Sequence, residues 1–329
     1  MSSGRTAAWL IALSACGRLG FEPGTGAPGD GQPDDGQLLT DAVTQSGDAP
    51  DATTLASEWT MVPPGPATVS NLWAARAFSA TDLWVGGTGG TIVHHDGTSW
   101  APSTSAADDL YMLWGTATDL WAVGRACAAQ RWNGTAWNPI AVLGCTNGAL
   151  FAVAGTAATD VWVVGTGGAV KHWTGSWTDL SQSGAVDFWS VWPAAANDVY
   201  LVGTKGTILH YTGTFADQSP AQNVTLASIW GTGAGEYWVV GAAGTILHKV
   251  GAGAWTLVAS PTTQFLYAVF GTSATDVWAV GTAGTLIHYD GVQWSSESVP
   301  ITVTLRAIAG VPGGGLRIAG DGGIVLAHP

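Results

Sequence analysis

Phe-Leu-Tyr-Ala-Val-Phe-Gly-Thr-Ser-Ala-Thr-Asp-Val-Trp-Ala-Val-Gly-Thr-Ala-Gly-Thr-Leu-Ile-His-Tyr-Asp-Gly-Val-Gln-Trp, running from Phe265 to Trp294, holds short apolar runs separated by turn residues. The first run, Leu266 to Phe270, ends at a glycine. A polar turn closing on Asp276 leads to the second, Val277 to Val280. Thr282-Ala283-Gly284-Thr285 reads as a two-residue hairpin with glycine where φ must be positive. The third run is Leu286 to Tyr289, Asp290-Gly291 is a second hairpin signal, and the fourth run carries Trp294. Runs this short, rich in β-branched and aromatic residues, are strands. The stretch therefore encodes one four-stranded antiparallel sheet.

The same pattern fills the rest of the chain. The second-strand aromatic recurs at Trp84, Trp121, Trp162, Tyr200, Trp238 and Trp278, and Arg317 takes the seventh place, at intervals of 37, 41, 38, 38, 40 and 39 residues. That period belongs to propeller blades. The fourth-strand aromatic recurs at Trp59, Trp100, Trp137, Trp177, Phe215, Trp255 and Trp294. Trp59 precedes the first full repeat, whereas the last, Val303 to His328, stops after its third strand. The expectation is an all-β fold, a seven-bladed β-propeller of four-stranded antiparallel blades over residues 57–329. The N-terminal strand at Trp59 closes the last blade, and closure leaves few strand edges open.

A two-residue hairpin sets Trp278 opposite Tyr289, and likewise Trp84 opposite His95, Trp121 opposite Trp132, Trp162 opposite Trp173 and Tyr200 opposite Tyr211. Five histidines share one third-strand position, His94, His172, His210, His248 and His288. Copies in different blades diverge from one another, so they suit hydrogen bonds to the turn acids Asp82, Asp119, Asp160, Asp198 and Asp276 better than one metal ion. No metal or cofactor is expected. Cys127, in a turn of the second repeat, and Cys145, in the following connection, are expected to form a disulfide. Aligning the first strands puts Trp73, Tyr111, Phe151, Trp189, Tyr267 and Arg306 at one level near the mouth of the central channel, with Ala227 breaking the ring. These six are the candidate ligand-binding residues; interblade packing is the competing explanation for them.

The chain has 329 residues, of which only 10% are charged, and its net charge is −13, which repels nucleic acid. At the N-terminus Arg5 precedes an apolar run from Thr6 to Ala15, too short to span a bilayer and suited to an export signal. Leu13-Ser14-Ala15-Cys16 resembles the bacterial lipobox. That resemblance implies a lipoprotein signal peptide over residues 1–15, lipidation of Cys16 and, with Gly17 following, a place at the outer membrane of the cell envelope. Residues 16–56 are rich in Pro, Gly, Asp, Ser and Thr, and are expected to be a disordered acidic tether.

The chain contains no zinc spacing, phosphate loop or nucleophile elbow. Most propeller acids sit at repeat or turn positions, which build the fold. The segment 275–291 resembles the repeats of exported bacterial propeller proteins and, more distantly, the Asp-box repeats of sialidases. Here Asp96 and Trp100, and Asp290 and Trp294, are four residues apart where the Asp-box has five, so the resemblance implies the architecture and not the catalysis. The expected function is a monomeric, non-catalytic binding or scaffolding lipoprotein whose partner is a protein or a glycan. The alternatives are a carbohydrate-active enzyme, hydrolase or lyase, and an assembly factor of a larger envelope complex.

Overall fold

The computed structural model describes residues 59–62, 70–103, 108–184, 186–233, 235–311 and 314–329. The signal segment, Cys16 and the tether lie outside the described residues. Seven four-stranded antiparallel sheets form the blades, and in six of them each strand pairs with the next in sequence. In the sixth blade the strands are Leu266–Ser273, Asp276–Gly281, Leu286–Tyr289 and Trp294–Ser296. The seventh has Leu305–Gly310, Leu316–Gly320 and Val325–His328, and its outer strand is Thr60–Met61 from the other end of the chain. Thr60 faces Ala327, Met61 faces Leu326, and the Val62 N–H donates to the Val325 carbonyl at 2.9 Å. The expected closure is what the fold shows. Trp59, 5% exposed, anchors it by packing edge-on to Trp278 at 5.7 Å and against His328 at 4.9 Å.

The hairpin between second and third strands departs from expectation. Gly281 N–H donates to the Thr285 carbonyl across a three-residue turn, Thr282–Gly284, with positive φ at Ala283 and Gly284. Trp278 therefore faces His288 and not Tyr289. Equally, Trp84 faces His94 and not His95, Trp121 faces Arg131 and not Trp132, Trp162 faces His172 and not Trp173, and Tyr200 faces His210 and not Tyr211. One extra turn residue carries each third-strand side chain to the other face.

Both faces gain a role. Each histidine stacks on the aromatic opposite it, with centroids 3.9 Å apart for Trp278–His288 and 4.2 Å for Trp84–His94. The aromatics expected in that place pack instead on the preceding blade: Trp132 on Trp84, Trp173 on Trp121, Tyr211 on Trp162, Tyr289 on Trp238. Such pairs add about 0.5–1.5 kcal/mol each beyond burial.

Every second strand ends in glycine because a backbone passes there. A Cβ on Gly281 would stand 2.2 Å from the Phe265 carbonyl oxygen, and one on Gly124 would stand 1.8 Å from that of Asp109. The approach accompanies a β-bulge at the start of each first strand. Leu266 faces Gly281 and Ala268 faces Val280, which leaves Tyr267 unpaired. The unpaired residue in the other six blades is Trp73, Tyr111, Phe151, Trp189, Ala227 or Arg306. Side chains tie blades together at this level. The Gly89 N–H donates to Asp109 and the Gly167 N–H to Asp187, each at 2.8 Å, and the Gly322 N–H donates to Asn71 at 3.0 Å, joining last blade to first.

Two glycine substitutions separate close approach from backbone freedom. Gly167 has φ +64, and a methyl group added there would meet nothing within 4 Å. The matching turn residues Ala283 and Lys205 adopt φ 55 and 61. Gly167→Ala should cost about 1 kcal/mol in urea unfolding. Gly281→Ala should cost about 3 kcal/mol or more, since a carbonyl must move. Equal costs would show that the carbonyl approach does not constrain the blade.

Candidate functional site

A bulge re-aims the residue left unpaired. Here all seven unpaired residues turn into the channel and line an axial cavity of about 350 Å³. The structure thus brings together Trp73, Tyr111, Phe151, Trp189, Tyr267 and Arg306, the six positions singled out in the sequence, all of them part-exposed. They lie on the face that carries the three-residue turns and the connections between blades. Deeper in, the wall is aliphatic, formed by Ala75, Val191, Ile229, Val269 and Ile308.

The gap at Ala227 is filled by a residue that strand alignment misses. Phe265 sits 6.0 Å from Trp189 and 4.5 Å from Tyr267. It precedes its strand, so aligning strands passes it over. The one signal in the sequence is that Phe265 is aromatic where other repeats have Asn71, Asp109, Ala149, Asp187, Thr225 and Thr304.

Phe265 thus bridges Trp189 and Tyr267 without itself lining the cavity. Trp73 and Tyr111 are 5.1 Å apart at 26°, Tyr111 and Phe151 5.6 Å at 39°, and Phe151 and Trp189 5.4 Å at 24°. Arg306 closes the circle, 5.7 Å from Trp73 and 4.9 Å from Tyr267. Of the three ring pairs, the first and third are stacked and the second is tilted.

Arg306 is a fixed part of this wall. Its Nε and Nη2 donate to the two Asp321 oxygens at 2.5 and 2.9 Å. Burial alone would lower its pKa, but the hydrogen bond and charge of Asp321 outweigh burial and raise it. Burial, with the nearby Asp109 charge, raises the Tyr111 pKa, which keeps that hydroxyl neutral. Ser190 accepts the Ile229 N–H and Ser228 accepts the Val269 N–H.

The acids are engaged in the fold. His94, His172, His210 and His288 donate from Nε2 to Asp82, Asp160, Asp198 and Asp276 at 2.6–2.8 Å, and His248 donates to Glu236 at 2.8 Å. A carboxylate only accepts, so these bonds fix the proton on Nε2. In the second blade Arg131 replaces histidine and binds Asp119 through Nε and Nη2. Asp96 and Asp290 accept backbone N–H groups of their own hairpins. Among the described residues no cluster of three His, Cys, Asp or Glu side chains is arranged to hold a metal. Cys127 and Cys145 are joined by a disulfide that ties a second-blade turn to the connection before the third blade, on the ring face. A shallower notch of about 280 Å³ between the first two blades, over Trp84 and His94, is bounded by repeat-packing residues.

Asp321→Asn keeps the shape of the Arg306 partner and removes its charge. The expected cost is about 1.5–3 kcal/mol in urea unfolding, for bonds made to a charged group. A change under about 0.5 kcal/mol would mean that the pair does not hold the ring together.

No protein-family model and no curated protein sequence matches the chain. Solved structures do match. One described as YCF48 bound to D1 peptide shares 18% identity, covers 83% of this chain and 96% of its own, and superposes with a TM-score of 0.67. YCF48 from Cyanidioschyzon merolae shares 17% identity over 83% of this chain and 98% of its own, at 0.67. A WD40 β-propeller domain of Doa1 shares 12%, covers 83% and 97%, and reaches 0.71. Streptogramin B lyase shares 11%, covers 82% and 97%, and also reaches 0.71. At these identities the likeness is one of fold, a seven-bladed propeller that serves both binding proteins and an enzyme.

Proposed function

We propose that the protein is a non-catalytic binding lipoprotein of the bacterial envelope that holds a segment of a partner protein at the mouth of its channel. The observation that carries this reading is the ring of five aromatic residues and Arg306 set at the channel mouth by the bulges of six first strands, with Phe265 packed across the gap at Ala227 of the remaining blade. Interblade packing alone does not require these side chains to turn into an open cavity. Three acids around the mouth are occupied: Asp109 and Asp187 hold turn amides and Asp321 holds Arg306. Acid–base chemistry needs a carboxylate free to reach substrate. A protein segment suits the mouth better than a glycan, because the cavity wall below the ring is largely aliphatic and offers a sugar few hydrogen-bond partners. One structural neighbour, YCF48, was solved with a peptide bound. Since fold alone does not fix function, the site carries the argument.

The lipobox resemblance at Leu13 to Cys16 supplies the location. Trp59 enters beside His328, on the face away from the ring. A tether arriving there leaves the mouth open to a partner.

Full-length protein should bind members of a random linear peptide library in a saturable way, and form no product from glycans screened in the same samples. Trp73→Ala and Trp189→Ala should each weaken peptide binding about tenfold or more, with unfolding midpoints shifted by only a few degrees. Glycan binding without peptide binding, or product formation, would overturn the reading. Separately, Cys16→Ser should move the protein from the membrane fraction to the soluble one and abolish incorporation of a labelled fatty acid. Unchanged membrane association would refute the anchor.

A further inference from the structure

We infer that the partner segment presents an uncharged amide oxygen to the Ser190 and Ser228 hydroxyls on the wall of this cavity. The inference deepens the binding reading above and rests on it. Two features of the wall carry it: hydroxyl protons that the fold leaves over, and charges that it has already spent.

Ser190 and Ser228 follow the unpaired residues of the fourth and fifth blades, and both line the cavity. The equivalent residue is alanine in four of the other blades and Met112 in the second. The Ser190 oxygen accepts the Ile229 N–H at 3.4 Å, and the Ser228 oxygen accepts the Val269 N–H at 3.2 Å. Each bond uses a lone pair and leaves the O–H to donate. Neither hydroxyl donates to an acceptor among the described residues. Ile229 directly follows Ser228, so the Ser190 oxygen, held to the Ile229 N–H, lies beside Ser228. A guest that displaces water from these two donors loses affinity unless it brings an acceptor. A carbonyl oxygen has two lone pairs, one for each hydroxyl.

Charge then selects among acceptors. Arg306 is the one charged residue lining the cavity, and its guanidinium is bound through Nε and Nη2 to Asp321. A carboxylate guest would give up its water for a cation already neutralised. It would also stand near Asp109 and Asp108, whose charges, after burial, raise the Tyr111 pKa and are only partly offset by Arg125. No acid lines the wall to receive an ammonium guest. An aliphatic guest would cover the two hydroxyls without pairing them. In a polypeptide the uncharged carbonyl acceptors are the main-chain amide and the carboxamides of Asn and Gln.

The test uses full-length protein and three soluble probes that share an isobutyl group: isovaleramide, isovalerate and isoamylamine. Affinity is read by ligand-observed NMR, with tryptophan fluorescence as a second signal. Isovaleramide should bind about fivefold or more tightly than either charged probe, and Trp189→Ala should weaken it, which places it at the mouth. Ser190→Ala and Ser228→Ala combined should weaken isovaleramide about fivefold or more, the worth of one or two hydrogen bonds. Other blades carry alanine at this position, so the double variant should fold. If the serines serve only to accept the Ile229 and Val269 N–H groups, the double variant will lower the unfolding midpoint and keep the preference for the amide, which overturns the inference. Isovalerate or isoamylamine binding as tightly as isovaleramide also overturns it. If no probe binds, library peptides decide. Peptide binding weakened by the double variant supports the inference. Peptide binding weakened by Trp189→Ala but untouched by the double variant overturns it and leaves the binding reading standing. No peptide binding overturns both. Peptides lacking Asn and Gln assign the source of the oxygen: if they bind it is the main chain, and if they do not it is a side-chain carboxamide.

Discussion

In every blade the end of the second strand runs so close to the carbonyl preceding the first strand that only glycine leaves room. The distance from a hypothetical Cβ to that oxygen is 1.8 Å at Gly124 and 2.5 Å at Gly320, well inside contact. Where the two backbones meet, the first strand carries one residue more than its partner, and the side chain of that residue leaves the sheet for the channel. The mouth is therefore a product of backbone geometry repeated seven times. The chemistry of the mouth depends only on which side chain occupies each bulge, so a propeller can change its ligand without changing its blades.

A second repeated unit supports the first. Histidine stacks on the second-strand aromatic and donates to the acid that opens that strand, as in His172 with Trp162 and Asp160. The unit tolerates exchange when its physics is kept. Glu236 replaces aspartate beneath His248, and Arg131 replaces histidine above Trp121, stacking at 5.1 Å while binding Asp119. Both exchanges preserve a planar donor over an aromatic face with a carboxylate beside it. These units occupy histidines and acids that would otherwise read as catalytic or metal-binding groups.

Much of this is legible in the sequence. The period of Trp84 to Trp278 gives the blade number, and the truncated last repeat together with the early Trp59 gives the closure. Four of the five histidine–carboxylate pairs follow from their shared repeat position; Glu236 beneath His248 is not among the acids singled out in the sequence, and Asp119, which is, holds Arg131 instead of a histidine. Register is not legible, because Thr-Ala-Gly-Thr suits a two-residue hairpin and a three-residue turn alike, and the choice decides whether His288 or Tyr289 meets Trp278. The ring level can be read by aligning strands, but its cause cannot, since a bulge leaves no local sequence mark beyond a glycine in the partner strand. Phe265 escapes for a related reason: it reaches the ring from outside the strand, across a gap that Ala227 leaves in the neighbouring blade.

The central claim is that binding occurs where the bulges open, on one face of the disc. Hydrogen–deuterium exchange on the full-length protein, with and without a saturating library peptide, tests it most directly. The account predicts slowed exchange at the starts of the first strands and in the turns beside them, such as Arg125–Cys127, Thr166–Gly168 and Thr282–Gly284. Slowed exchange confined to the opposite face, in the hairpins around residues 117–118, 158–159 and 274–275, would contradict it.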